Sequence, residues 1–450
     1  MKITKSTWAA VGAALLLAAC GGGGDGNQAP KIKYSTMVSF GDSFSDVGTY
    51  AVGDVLASGG GRYTVNGITT DTIANPASKN WTERLAAQLG LPAPCAAVTG
   101  LAGAGFRTPS AGPVASNTHA GCFSYAQGGA RVTNATGPIN VANGDATSLA
   151  IGQLTVPVVT QISNHLALFP QFSGTELVTV MAGGNDVLQL LEPASTAAGN
   201  AFANSLISQL AAGATNPATA ATAITTAFVT EAARLGATTT TKVGAAVAAA
   251  AAQPGNAAVA SAAVYGPMVA TATTAATTAA GTYFATNGTA MVTAMATAGA
   301  QLANLVNTQL VAKGAKYVAV LNLPDVSLSP ASKAKPAAVQ ALIHTMVTTF
   351  NAQLKAGLVS SPNVILVDVY ANINDQVANP SAYGLTNVTT SACDTTKEVV
   401  VSSMLCTTNT LVAGDVSHYL FAEDGGHPTP YELKLLSQLV ARDLIVAGWL

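Results

Sequence analysis

Charge is what this sequence has least of. Of its 450 residues only 9% are Asp, Glu, Lys or Arg, and 19 basic side chains nearly balance 21 acidic ones. No basic run and no interleaving of basic with aromatic residues occurs, which excludes the usual footprint of a nucleic-acid-binding surface, so no nucleic-acid partner is expected. Aromatics are sparse at 6%. The five cysteines include no C-x-x-C pair and no His-spaced pattern, so neither a metal nor a cofactor is expected. Beyond the first twenty residues, no uninterrupted apolar run reads as a membrane span. What remains is a chain that is 49% hydrophobic, ample for a large core, with a surface left to Thr, Ser, Asn, Gln and Gly. That composition is common in secreted and cell-surface proteins.

The N-terminus agrees. Lys2 and Lys5 form a charged start, and Trp8 to Ala19 an apolar stretch too short to cross a bilayer. Leu17-Ala18-Ala19-Cys20 is followed by Gly21 to Gly24. This resembles a bacterial lipobox, in which cleavage leaves a lipid-modified cysteine at the new N-terminus. Residues 1–20 are therefore expected to be a lipoprotein signal peptide and 21–35 a Gly-rich linker. The mature protein would be held to a membrane through Cys20 at the bacterial cell envelope, in the outer membrane, or else secreted. Four cysteines remain. Their even count in an exported chain suggests disulfides, and of the three possible pairings Cys95–Cys122 and Cys393–Cys406 each close a local loop.

Short apolar strands are predicted at Met37–Phe40, Glu176–Met181, Lys316–Asn322 and Asn363–Tyr370. They alternate with helical patterns at Asn80–Leu89, Ile151–Phe169, Gln301–Lys313 and Ala337–Leu358. Such alternation predicts an α/β fold, a parallel sheet with helices on both faces. Between about Pro193 and Ala300 the composition shifts to Ala, Thr and Gly. Alanine favours helix, so this stretch is expected to be an inserted set of small-residue helices, serving as a lid, a docking surface or bulk packing.

The chemistry centres on two stretches. Met37-Val38-Ser39-Phe40-Gly41-Asp42-Ser43 runs from a strand into a tight turn at a glycine. Ser43 is thus delivered to the carboxyl end of a strand, where sites in open α/β sheets collect. Near the C-terminus stands Asp424-Gly425-Gly426-His427-Pro428-Thr429-Pro430-Tyr431-Glu432. A serine hydroxyl attacks only when a base removes its proton. His427 supplies the imidazole, and Asp424, three residues earlier, a carboxylate to hold its tautomer. Thr429 and Glu432 read as a capping box with Pro430 at the first helical position. Asp415 and His418 repeat the spacing without the cap, and His119, His165 and His344 have no carboxylate at a telling distance. Donors for a developing oxyanion are available from the Ser43 N–H, a glycine N–H of Gly128-Gly129 and the Asn185 amide.

Gly41-Asp42-Ser43, Gly129, Gly184-Asn185-Asp186 and Asp424-x-x-His427-Pro428 together resemble the four blocks of the GDSL/SGNH hydrolase family. Val320 to Asp325 and Asn379 to Gly384 resemble its bacterial branch of secreted esterases, lipases and lecithinase-like phospholipases. The resemblance covers about 36–190 and 300–450. It implies a flavodoxin-like three-layer α/β/α sandwich over 36–450, interrupted by a helical insertion at about 194–300. It also implies metal-free hydrolysis through an acyl-serine. Ser43 would be nucleophile, His427 base and Asp424 its orienting acid, with Ser43, Gly129 and Asn185 forming the oxyanion hole. Phe44 replaces the family's usual leucine, and the insertion is long enough to reshape the acyl pocket. Some relatives end in a β-barrel; here a lipid anchor would take its place. The function expected is a serine carboxylic-ester hydrolase, an esterase or lipase and possibly a phospholipase, acting on lipid or short-acyl esters. The alternatives are a carbohydrate O-acetylesterase on the same site and a non-catalytic surface binding module.

Overall fold

The computed structural model describes residues 32–397, 402–423 and 425–450. Cys20, with the expected signal peptide and most of the linker, lies outside them, as does Asp424. Four strands, β1 (Met37–Gly41), β2 (Leu177–Met181), β3 (Tyr317–Leu321) and β4 (Val364–Val367), form a parallel sheet in that spatial order. Residues 123–127 run along the outer edge of β1. The Ser39 N–H donates to Phe123 O at 3.0 Å, Tyr125 N–H to Ser39 O at 2.7 Å, and Gln127 N–H to Gly41 O at 3.1 Å. Counting that segment, the order in space is 2-1-3-4-5, the arrangement of flavodoxin-like sheets.

The helices that matter follow in chain order. They are α1 (Trp81–Gln88), α2 (Val158–Leu168), α3 (Gly184–Ala211), α4 (Pro217–Ala232), α5 (Thr239–Ala251), α6 (Ala262–Leu305), α7 (Ala337–Gly357), α8 (Val369–Ala378) and α9 (Pro430–Val446). Because strand side chains alternate between faces, each apolar strand feeds two cores. Val38, Phe40, Val178, Val180, Val318 and Val320 pack with α2, α7 and the near ends of α3 and α6. Met37, Leu177, Met181, Ala319 and Leu321 pack with Trp81 and Leu85 of α1 and Leu433, Leu436 and Val440 of α9. The outcome is the expected three-layer sandwich.

Several boundaries differ from expectation for local reasons. The helix expected over Ile151–Phe169 begins only at Val158, because Gly152 ends the preceding helix, Ala146–Ile151, in a left-handed conformation and Pro157 opens α2. The last strand stops at Val367, since the Asp368 carboxylate accepts the Ala371 N–H at 3.0 Å and starts α8. Gln301–Lys313 is the tail of the 44-residue α6, carried on through a π turn and a 3₁₀ turn. The Ala/Thr-rich stretch is helical: α4 and α5 join the far ends of α3 and α6 in a separate core around Leu206, Leu210, Ile224, Phe228 and Val247. Both expected disulfides are present, Cys95–Cys122 and Cys393–Cys406. No helix among the described residues is long and apolar enough to cross a membrane.

Candidate active site

At the carboxyl end of β1 the chain turns at Gly41. Its φ is +149°, and a Cβ there would lie 2.2 Å from Met181 O, so only glycine lets β1 pass this close to β2. The turn that follows is held by buried carboxylates. Asp42 Oδ1 accepts the Phe44 N–H at 3.1 Å. Asp46 accepts the N–H groups of Gly48, Thr49 and Gly128, each at 2.8 Å, and so binds the serine turn to the double-glycine turn. Burial raises both acids, Asp42 to about 7 despite the Phe44 N–H and nearby His427.

The structure brings Ser43 and His427 together across 384 residues of chain. The Ser43 hydroxyl donates to His427 Nε2 at 2.7 Å. On the other side of the ring, His427 Nδ1–H donates to Glu423 Oε1 at 2.7 Å, and the same oxygen accepts the His427 backbone N–H at 3.2 Å. Among the described residues the carboxylate on the imidazole is Glu423, four residues before the histidine; the expected Asp424 lies outside the described residues. Gly426, at φ +109°, folds the loop back so that a side chain at that distance reaches its own histidine. Burial pushes the Glu423 carboxyl up. The histidine beside it and the N–H donors of His427 and Gly425 more than offset this, leaving it below its ordinary value. Phe44 and Tyr63 flank the imidazole with ring centroids 5.9 and 5.1 Å away. Thr64 Oγ1 donates to Pro428 O at 2.8 Å and pins the loop.

Asn185 stands in the first turn of α3 and lines the same cavity as Ser43 and His427. One of its amide hydrogens goes to Ala130 O at 2.9 Å, leaving the second for the cavity. Asp186 next to it accepts from Arg131 Nε at 2.9 Å and from Val132 N–H at 3.1 Å, so the start of α3 is tied to the segment after the double glycine. Gly129, in the left-handed region at φ +80°, is buried and is not on the cavity wall. Among the described residues the N–H groups of Ser43 and Gly129 are given to no acceptor. The structure thus places Ser43, Asn185 and His427 on one cavity and Gly129 off its wall.

The other histidines lie elsewhere. Both ring nitrogens of His418 face backbone carbonyls, Gly384 O and Ala74 O, each at 2.7 Å, while Asp415 binds Ser417. His119 pairs with Thr99. His165 sits among Phe40, Tyr125 and Phe172, where burial lowers it to about 4. His344 does have a carboxylate, Asp325 at 2.8 Å, nineteen residues before it and joined by the fold rather than by spacing.

The cavity below Ser43 is walled by Phe44, Met181, Leu188, Leu323, Pro324, Val326, Ile373, Leu420 and Leu436, with Glu432 among them. It opens past Leu188, Val326, Ser329 and Gly425 into a more polar groove that carries Asn143, Asp145, Gln189, Glu192 and Lys335. Among the described residues no cluster of His, Cys, Asp and Glu could hold a metal ion.

Two comparisons with known proteins bear on this site. A family model described as GDSL-like Lipase/Acylhydrolase matches residues 37–280, more than half of the chain. It takes in Ser43, Gly129 and Asn185 and stops before Glu423 and His427, so those two rest on geometry. A curated Arabidopsis thaliana protein, "GDSL esterase/lipase APG", is 26% identical over 152 residues, which cover 31% of this chain and 41% of that relative. The match thus spans less than half of the relative's length.

Proposed function

The chain belongs to the GDSL-like lipase/acylhydrolase family, and we propose that it is an esterase- or lipase-type hydrolase of ester bonds that works through an acyl-enzyme on Ser43. The observation that carries this is the continuous relay Ser43–His427–Glu423, with 2.7 Å at each link. His427 Nε2 takes the hydroxyl proton as Oγ attacks the ester carbonyl carbon. Glu423 keeps the other ring nitrogen protonated and stabilises the imidazolium that forms. The carbonyl oxygen, now an oxyanion, is met by the free amide hydrogen of Asn185 and the Ser43 N–H, both on the cavity wall. Collapse passes the proton from His427 to the departing alcohol. Water, deprotonated by the same nitrogen, then releases the acid and restores the serine.

The apolar cavity suits an acyl chain, and the polar groove beside it suits the head group or alcohol. That division supports lipid or medium-chain esters as substrates. The polar groove also favours a second reading, a carbohydrate O-acetylesterase, in which the groove holds sugar and only acetyl enters the cavity. Hydrolysis of p-nitrophenyl esters of increasing acyl length, run beside Ser43→Ala, separates them. Activity peaking at medium or long chains supports the first, and activity confined to acetate the second. Activity undiminished in Ser43→Ala would sink the acyl-serine mechanism. Absence of hydrolysis on any ester would favour the binding module.

Attachment to a bacterial envelope through a lipid on Cys20 is part of the same reading, supported by Leu17-Ala18-Ala19-Cys20 and the glycines after it. Replacement Cys20→Ala should release the protein from the membrane fraction; unchanged fractionation would refute the anchor.

A further inference from the structure

The capping box expected at the start of α9 is only half formed. Thr429 Oγ1 accepts the Glu432 N–H at 3.3 Å, but the returning arm is absent, because the Thr429 N–H is already given to Leu420 O at 3.1 Å. The Glu432 side chain lines the cavity below Ser43 instead, beside Leu436, Ile373 and Leu420. It is 6% exposed, and among the described residues no donor reaches its Oε2. The polar side chain set against it is Gln376 of α8. Gln376 donates through Nε2 to Asn372 Oδ1 at 3.0 Å, and its own Oε1 also lacks a donor. Buried acceptors without donors are uncommon in folded proteins, and each calls for an explanation.

One proton bears on both. If Glu432 is the neutral acid, it carries an O–H beside Gln376, and its carboxyl keeps an acceptor on the cavity wall that it lines. The surroundings favour that form: burial pushes Glu432 up to about 8, with Gln376 opposing the rise. Among the described residues no Lys or Arg lines the cavity. The titratable groups on the wall are Asp42, Asp325 and His427, while Tyr383 and Tyr431 sense the Glu432 charge from outside it. An acceptor that is neutral, beside Leu420, Ile373 and Leu436 and with no cation among the described residues of the wall, matches an uncharged donor.

We propose that Glu432 is a specificity-determining residue that selects esters whose acyl chain carries a hydroxyl group, the hydroxyl donating to its free oxygen while the methylenes lie on the apolar wall. This rests on the reading above that the cavity receives the acyl chain from Ser43. A plain alkyl chain reaching Glu432 leaves the carboxyl without a donor, and one with a hydroxyl at the right carbon satisfies it.

The test compares kcat/KM for p-nitrophenyl octanoate with that for its positional hydroxyoctanoate isomers, using the full chain as wild type, Glu432→Gln, Glu432→Met and Ser43→Ala. At least one isomer should be preferred by wild type about tenfold, the size of one well-made hydrogen bond. Glu432→Gln should keep the preference, since its amide can donate to Gln376 and its carbonyl can face the cavity. Glu432→Met should invert it, raising the alkyl ester and lowering the hydroxyacyl one. The wild-type preference should also rise through about pH 8, where the carboxyl ionises into a stronger acceptor, and stay flat in Glu432→Gln. That pH comparison decides the matter even if Glu432→Met fails to fold. Equal ratios for every isomer in all variants, or a preference that survives methionine, would overturn the proposal while Ser43-dependent hydrolysis left the acyl-serine reading standing. Hydrolysis indifferent to Ser43→Ala would overturn both.

Discussion

The two ends of α3 and α6 belong to differently built regions. At the sheet, the near ends meet Phe40, Val180 and Phe350 in a core of large side chains, and the polar groups there bond across the fold. Ser43 reaches His427, Asp46 reaches Gly128, and Thr64 reaches Pro428. At the far end, the same two helices meet α4 and α5 over alanines with a few larger residues between them. Residues 194–300 hold only three charged side chains, Glu231, Arg234 and Lys242. Their threonines bond locally: Thr273, Thr277 and Thr297 each donate to a carbonyl four residues back in their own helix. Long-range polar bonds fix one arrangement of chain segments far apart in sequence. Local ones satisfy a helix wherever it lies. The difference teaches that the site is specified at the sheet, and that the helical end scaffolds it without defining it.

The largest effect should come from cutting the long-range relay. Glu423→Gln leaves the histidine without its carboxylate and should lower kcat for a p-nitrophenyl ester by about 10²- to 10⁴-fold with little change in KM. Asp424→Asn, the substitution the D-x-x-H spacing points to, should cost less than threefold on that same scale of losses. Steady-state kinetics of both variants decide between the neighbouring carboxylates, and the reverse ranking would assign the role to Asp424.

That pair of residues also marks how far the site was legible. The sheet was readable because β1 to β4 are apolar runs ending in turn residues, and the serine, asparagine and histidine because their motifs hold chemistry at fixed spacing. Glu423 was not readable, since two adjacent carboxylates precede Gly425-Gly426 and only the fold of that loop chooses between them. Glu432 was misread for a related reason. Its spacing from Thr429 is that of a capping box, and nothing local reveals that Leu420, brought alongside by the fold, takes the N–H which the box requires. The Asp325–His344 pair, spanning nineteen residues, likewise exists only in three dimensions.

Core truncations sharpen the comparison at the next scale. Phe350→Ala, in the fully buried wall between α7 and the sheet, should cost about 4 kcal/mol, and Ile224→Ala, in the far core, about 3 kcal/mol. The costs are similar, and the consequences should part. Phe350 packs against Gly183, next to the start of α3, so its loss should reduce kcat as well. Ile224→Ala should leave kcat of the folded enzyme at the wild-type level. Urea unfolding and kinetics on each variant test this, and a fall in kcat for Ile224→Ala would show that the far end shapes the site after all.

A smaller effect follows from pH. Glu432 is raised from an ordinary carboxyl value to about 8 in the fold, so between those values the native state holds a proton that the unfolded chain has lost. Its contribution to stability is full below the unfolded value and declines as pH rises toward about 8. Glu432→Gln removes that decline. The variant should gain on wild type as the pH is raised from about 5 to about 8 and keep a constant advantage above it. Asp42, Asp46 and Asp186, raised in the same direction, are common to both proteins and cancel in the difference. Melting temperatures across this range that shift in parallel would contradict the buried, raised carboxyl.

The smallest effect is expected where the threonines satisfy themselves. In α6, Thr273 donates to Val269 O at 2.9 Å and Thr277 to Thr273 O at 3.0 Å, and both side chains are exposed. Alanine removes only a bond that competes with helix geometry and exchanges a β-branched residue for the best helix former. The double variant Thr273→Ala, Thr277→Ala should therefore unfold within about 0.5 kcal/mol of wild type or slightly above it, with ester hydrolysis unchanged. A loss beyond about 1 kcal/mol would mean that these hydroxyls hold α6 to something more than itself, and the division between a specified sheet end and a permissive helical end would have to be redrawn around it.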